Sequence, residues 1–285
     1  MPLVFEALEA IDKPDCKVEV VLIDNASTDE TPDVMARFAN VHGGTILTES
    51  RPGKSHALNT GLEASSGDLI IFLDDDAIPD RGWLASFWRA ASQQPNAAAF
   101  AGSIRPYWQS SPPKWLRGLA NLGRACGCTE PGRAEGNIGP EEVKGANFAV
   151  RRMALGDLKF DTGSVNFGQP GASTGGEDSL MSRRLSARGH AFHFVPGAAV
   201  AHIIAHDEMT LRSQMSRYAR IGRGAAAIDA EGLASAVSAG FKVPAFTALA
   251  SFHFLVGQEV RGAASLMKAA RNLGRLDYIV RSAGS

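Results

Sequence analysis

Residues 69–80 read LIIFLDDDAIPD, five apolar residues running straight into Asp74, Asp75 and Asp76. A short apolar, β-branched run of this kind reads as a buried strand. Three adjoining carboxylates at its carboxyl end repel one another unless a cation offsets them. The same grammar repeats on both sides. VEVVLI at 18–23 predicts a strand, and Thr31 to Asn40 a helix with Thr31 as N-cap and Pro32 at the first helical position. TILT at 45–48 predicts a second strand, Lys54 to Ala64 a helix, Arg81 to Ala91 another helix, and AAAFAGSI at 97–104 a further strand. Strands alternating with helices over short loops predict an α/β fold, a parallel-centred sheet with helices on both faces. Ligands of such sheets bind beyond the carboxyl ends of the strands. VLI runs into Asp24 and Asn25 as LIIFL runs into the aspartate triplet, so both acidic loops are expected on one rim.

The chain has 285 residues, 45% of them hydrophobic, with 30 Gly and 14 Pro, which suits one large or two small globular domains with many tight turns. A net charge of -1 gives no footing for nucleic-acid binding. Cys126 and Cys128 lack the second pair or neighbouring His of a zinc site, so together with Cys16 they are expected reduced and without metal. The start lacks the basic-then-apolar pattern of a secretory signal, which makes the cytosol the default expectation. Residues 105–142 read as loops and short helices, 143–152 as a strand, and 160–176 as a glycine-rich loop long enough to be functional. A helix opens at GGEDSLMSRRL, two short strands follow at 191–195 and 198–202, and the rest from 209 is helical. The division expected is 1–205 for a catalytic domain and 206–285 for a helical C-terminal region.

That C-terminal region is basic: residues 203–285 hold ten Lys and Arg against six Asp and Glu. Its apolar stretch at 243–257 is too short, and too polar at Ser251 and His253, to be expected to span a membrane. Arg261, Lys268 and Arg275 recur every seven residues, opposite Val260, Ala264 and Met267. Such a helix can lie on an anionic membrane surface or pack on its own domain, and the sequence weighs the two equally.

Four groups of side chains and one histidine carry chemistry. Asp74 and Asp76 form an x-D-x-D turn; hard cations such as Mg2+ or Mn2+ take one or two carboxylates plus substrate phosphates, or the triplet is a solvated turn. Asp24, with Asn25, can accept from a base or ribose, or form an Asx-turn. Arg51 and Lys54 flank a helix start, where cations reach phosphate. Glu177 and Asp178 open a helix whose dipole favours ionised carboxylates, as a general base requires. His202 closes a strand as a neutral imidazole ligand to the same metal or as a structural residue.

Taken in order, VVLIDNASTDET, RPGKSHALNTGLEASSGDLIIFLDDDAIPDRGWL, KGANFAVRR, GGEDSLMSRRL and VPGAAVAH resemble the family-2 glycosyltransferases of the GT-A fold, over about residues 3–203. The resemblance implies inverting transfer of a sugar from a nucleoside diphosphate donor to a glycan or lipid-linked acceptor, with Mn2+ or Mg2+ as cofactor. By position, Asp24 contacts the nucleobase and Asp74, beside Asp75, the ribose or sugar-phosphate. Asp76 holds the metal with His202, Asp178 deprotonates the acceptor hydroxyl, and Glu177 and Asn147 line the acceptor side.

The sequence departs from that pattern at its start. Family members open with a strand of the type V-S-V-V-I-P-x-Y-N, whereas PLVFEALEAI reads directly as the helix that follows it. Two strands would then be left with unpaired edges. A smaller departure is Ala77, where an acid or polar residue often stands. A non-catalytic nucleotide-sugar-binding relative and a metal-dependent nucleotidyltransferase are the rival readings.

Overall fold

Period-two alternation builds the sheet. Phe148 and Val150 face one layer and Ala149 the other, and in the neighbouring strand Ala99 and Ala101 oppose Phe100 in the same way. The computed structural model describes residues 2–163, 166 and 174–283. Nine elements alternate along the first third: α1 (Pro2–Glu9), β1 (Val21–Asp24), α2 (Thr31–His42), β2 (Thr45–Thr48), α3 (Lys54–Ala64), β3 (Leu69–Leu73), β4 (Ala77–Pro79), α4 (Trp83–Gln93) and β5 (Ala97–Trp108). The middle adds α5 (Lys114–Asn121), β6 (Gly136–Ile138), β7 (Asn147–Arg151), α6 (Arg152–Leu155), α7 (Glu177–Ala187) and β8 (Ala191–Ile204). Three long helices close the chain: α8 (Leu211–Ile228), α9 (Leu233–Leu255) and α10 (Glu259–Ala283).

The main sheet runs β3-β7-β5-β8-β4, with β6 on β8. β5 and β8 pair in parallel at its centre, and β3 shares their direction because both it and β5 oppose β7. β4 opposes β8 at the far edge. The sheet is therefore mixed, with helices on both faces. Leu58 and Leu62 of α3 and Met181 and Leu185 of α7 pack on Phe72, Phe148 and Phe192. Trp83, Leu84 and Phe87 of α4 fill the opposite layer around Phe100, Ala149 and Val200. Phe100 and Phe87 are fully enclosed, a burial that stabilises by about 2–3 kcal/mol for each side chain.

β1 and β2 stand apart as a parallel pair. β1 bonds only β2 and β3 bonds only β7 among the described strands, so each keeps one open edge. These are the two edges expected from the departure at the chain's start. Helices cover the break: a Cβ on Gly61 of α3 would lie 3.5 Å from the Ile23 side chain of β1, and Leu8 of α1 packs both on the core under α4 and on Phe5, Met35 and Phe38.

Several sequence expectations shift. Thr31 is the first helical residue of α2, not its cap: Glu30 stands at the cap position and Asp29 Oδ1 accepts from the Thr31 N–H at 3.0 Å. The two short strands at 191–195 and 198–202 are one strand, β8, because Pro196 and Gly197 lie in a bulge where the register jumps from Gly102–Val195 to Ser103–Ala199. The apolar segment at 243–257 belongs, up to Leu255, to a 23-residue helix that starts at Leu233 and continues through Pro244. α9 is long and apolar enough to cross a membrane, against the expectation drawn from the shorter stretch. α5 and α10 share a core of Trp115, Leu116, Leu119, Ala263 and Met267.

Candidate active site

β4 aligns the acidic turn. Three residues long, and absent from the pattern read in the sequence, it pairs Ala77 with His202 across β8, and the Ile203 N–H donates to the Asp76 carbonyl at 2.8 Å. Ala77 is wholly buried beneath this turn, so its departure from the family pattern is a packing position. The pairing sets His202 Nε2 3.2 Å from Asp76 Oδ2. His202 Nδ1 lies 2.7 Å from the Cys126 carbonyl. A carbonyl only accepts, so Nδ1 carries the proton and Nε2 directs either a lone pair or a second proton at Asp76. Cys126 reaches this position with φ at 54°, in the left-handed region that non-glycine residues seldom occupy.

Burial pushes His202 down, but the hydrogen bond and charge of Asp76 outweigh it and raise the imidazole. Burial would raise Asp76, yet His202 and then Lys54 hold it below the usual carboxylate range. Asp76 Oδ1 is sealed from solvent and has no hydrogen-bond partner. That orphaned oxygen beside a tautomer-fixed imidazole is what a divalent cation requires. The donor set fits Mg2+ or Mn2+, which complete their shell with water and phosphate oxygens rather than with protein. No group of three or more His, Cys, Asp or Glu gathers for a metal among the described residues, so Asp76 and His202 would be the protein's whole contribution.

Lys54, at the first position of α3, grips both oxygens of Asp74 at 2.6 and 2.7 Å. Burial lowers Lys54, but Asp74, then Glu177 and Asp178, outweigh it, so the ammonium is raised. Burial raises Asp74 as well, with Asp76 and Asp75 adding to it against the pull of Lys54. Lys54 rises because several carboxylates surround it, and Asp74 rises first because it is buried and then because Asp76 and Asp75 crowd it. Lys54 thus ties the Asp74–Asp76 turn to the acids of α7.

Those acids sit differently. Asp178 Oδ2 accepts from the Gly145 N–H at 2.6 Å and Oδ1 from the Ser179 N–H at 2.8 Å. A Cβ on Gly145 would lie 3.1 Å from Oδ2, so glycine there lets the loop close on the acid. Glu177 is 7% exposed. Its burial, then the charge of Asp178, raises its carboxyl against the pull of Lys54 and of the amides at the start of α7.

The remaining expected site residues are held by the protein itself. Asn25 Oδ1 accepts from Gly53, and its Nδ2 donates to the carbonyls of Glu49 and Arg51 at 2.9 and 2.8 Å. It clamps two loops and has no amide proton left for a donor. Arg51 turns to Glu49, 2.9 Å from Nε and 2.7 Å from Nη2. Asp24 is buried, with Oδ1 accepting from Ser27 at 3.1 Å. Asp75 is exposed at the turn's tip.

Asn147 overturns its expected acceptor role. It has no exposed surface. Its Nδ2 donates to Ser103 and Ala198 carbonyls at 2.9 and 2.8 Å, and its Oδ1 accepts from Trp83 Nε1 at 2.8 Å. Every polar atom is used to lock the β8 bulge. The glycine-rich loop falls mostly outside the described residues, but Asn166 is buried and caps α3 by accepting from the Ser55 N–H at 3.0 Å.

Sequence reading passed over α8. Glu208, Gln214, Arg217 and Arg220 line a cavity of about 460 Å3. Arg217 acts electrostatically on His202 and Lys144, and Arg220 feels Glu177 and Glu208. Gln214 is buried with Oε1 unpartnered and Nε2 donating to the Glu208 carbonyl at 2.8 Å. The only signal for these residues was the basic excess after residue 203, which reads equally well as a solvated face.

A mixed sheet carrying an acidic turn, a histidine and an acid pair along the ends of β3, β8 and α7 defines a GT-A-type fold. The chain belongs to the glycosyl transferase family 2, whose model matches residues 3–159. It is similar to glycosyltransferase AglE of Haloferax volcanii, 36% identical over 73 residues, 25% of this chain and 24% of that protein. It is also similar to the glucosyl-dolichyl phosphate glucuronosyltransferase of the same organism, 23% identical over 150 residues, 51% of this chain and 47% of that protein. The chain thus spans between a quarter and half the length of these curated relatives. Among solved structures, the mannosyltransferase PcManGT from Pyrobaculum calidifontis, in complex with GDP-Man and Mn2+, matches 99% of this chain and 71% of its own at TM-score 0.59 and 23% identity. Staphylococcus aureus TarS 1–349 with UDP-GlcNAc matches 98% and 87% at TM-score 0.52 and 12% identity.

Proposed function

We propose that the chain transfers a sugar from a nucleoside diphosphate sugar to an acceptor hydroxyl, with inversion and with Mn2+ or Mg2+ as cofactor. One observation carries the reading: Asp76 Oδ1 is buried without a partner beside His202, and Lys54 links that pair electrostatically to Glu177 and Asp178. PcManGT, solved with GDP-Man and Mn2+, and TarS, solved with UDP-GlcNAc, support the donor class and the metal.

In this reading Asp76 and His202 hold the cation, which supplies positive charge against the departing diphosphate. Asp74 orients Lys54, and Arg217 and Arg220 add countercharge from α8. Asp178, positioned by the Gly145 and Ser179 amides, accepts the proton of the acceptor hydroxyl as its oxygen attacks the anomeric carbon. Glu177, whose carboxyl burial raises, lines the acceptor side next to Asp178. The acceptor class is a glycan or lipid-linked saccharide at the cytosolic membrane face, with residues 1–205 as the catalytic unit and 206–285 as a C-terminal helical unit meeting that membrane.

Donor turnover with Mn2+, read as released nucleoside diphosphate, tests the chemistry. Asp178→Asn is expected to lower turnover about 100-fold or more while leaving donor binding intact, and Asp76→Ala to abolish it. Full activity in both variants would remove the assigned mechanism. Donor binding without turnover under any metal would favour the non-catalytic relative, and a harmless Asp178→Asn with lost Asp76→Ala activity the nucleotidyltransferase.

A further inference from the structure

We infer that one face of α9 docks on an anionic lipid surface. The inference rests on the membrane-side reading of the C-terminal helices above and is independent of the transfer chemistry. α9 has its side chains the wrong way round for a helix of a soluble bundle. At 100° per residue, Leu233, Val237, Phe241, Ala248, Phe252 and Leu255 fall on one side. The five large ones are all exposed: Leu233 at 77%, Val237 at 55%, Phe241 at 75%, Phe252 at 57% and Leu255 at 87%. The buried positions are instead the small residues Ala236, Ala239 and Ala250. Large apolar groups point outward along some 34 Å of helix. A contiguous apolar face of this extent marks an interaction surface.

Charge identifies the occupant. Between Glu231 and Glu259 the single charged residue is Lys242, which is exposed. α10 returns antiparallel beside α9: the Phe254 ring lies 3.0 Å from the Cβ position of Gly262, the Lys268 ammonium sits over the Phe246 ring, and Arg275 pairs with Glu231. This register lays exposed Arg261 and Lys268 of α10 beside α9, with Lys268 at the Phe246 edge, next to exposed Lys242 on α9 itself. The apolar face is therefore flanked along one edge by Lys242 and Lys268, and no acid falls on α9 itself. Apolar face plus basic border is the complement of an anionic headgroup layer. A second copy docking on itself would bring like charges together. The inward side of α9 is already packed, Ala236 against Ala226 and Ile279, which favours lying in the interface over spanning.

Flotation of the full chain with lipid vesicles tests this. The chain is expected to float with vesicles of phosphatidylglycerol and phosphatidylcholine in equal parts, and not with phosphatidylcholine alone. Lys242→Gln with Lys268→Gln should lower partitioning about 25-fold, near fivefold for each cation, and Phe241→Ser with Phe252→Ser should abolish it. Circular dichroism checks folding, and if the serine pair fails to fold, the lysine pair and a salt titration decide. The proposal is overturned by no flotation on either lipid or by flotation indifferent to both variants. Self-association abolished by the serine pair would assign the face to a second copy instead. Retention on the vesicles after alkaline carbonate washing would assign α9 as a spanning helix.

Discussion

Glu177 and Asp178 are neighbours in sequence with opposite environments, and that difference is open to measurement. Burial raises Glu177. A carboxyl raised on folding holds its proton better in the folded chain, so its contribution is fully present below the unfolded value and is lost as pH rises through the folded one. At neutral pH Glu177 therefore weighs against folding. Glu177→Gln is expected to raise Tm at pH 7.5, with the gain vanishing near pH 4; a lower Tm at pH 7.5 would show that the dipole of α7 outweighs burial. The thiols offer a second reading. Burial, then the neighbouring Cys128, pushes Cys126 up to about 12, and burial pushes Cys128 up to about 11. Neither thiolate forms at pH 8, so iodoacetamide should modify Cys16 alone in the folded chain, and modification of all three without denaturant would contradict the packing around His202. Residue identity made Asp76, His202 and Asp178 legible as candidates. It could not tell Asn147, a sheet lock, from a pocket residue, because a buried amide and a ligand-binding amide look alike in sequence.

At the scale of elements, the sequence carried period and length well. β2, α3 and β3 fall on the residues their patterns predict, because each is a short run with one clear period. β4 was unreadable: three residues, Ala-Ile-Pro, hold no period, yet they alone bring Asp76 beside His202. The β8 bulge was read as a chain break for the related reason that Pro and Gly signal turns in isolation. Asn147 holds that bulge through three hydrogen bonds, and Gly102 leaves room for it, since a Cβ there would meet Asn147 Nδ2 and the Ala198 carbonyl at 2.2 Å. Asn147→Ala would strand the Trp83 N–H and two carbonyls. It is expected to cost on the order of 3 kcal/mol, read from the denaturation midpoint, with donor affinity changed far less than stability. A cost below about 1 kcal/mol would show that water replaces the amide.

For the whole molecule, the division of the sheet is the governing feature. β1–β2 carries Asp24 and the Asn25 clamp, while the main sheet carries the aspartate turn and His202; the helices α1 and α3 hold the two parts together. Two-stranded pairing alone is marginal in water, so the amides of Val21–Asp24 are expected to exchange on the order of 100-fold faster than those of Phe148–Val150. Equal protection would mean that the open edges of β1 and β3 are covered. The α/β class was legible because alternation is a global pattern, whereas the placement of α8 over the acids depends on tertiary packing that no local period encodes. The most direct measurement is Mn2+ uptake, followed by the loss of the free-ion electron paramagnetic resonance signal with UDP or GDP present. The account predicts saturable uptake that weakens at least about tenfold in Asp76→Ala and in His202→Gln; uptake of equal strength in all three proteins, or none in the unsubstituted chain, would contradict it.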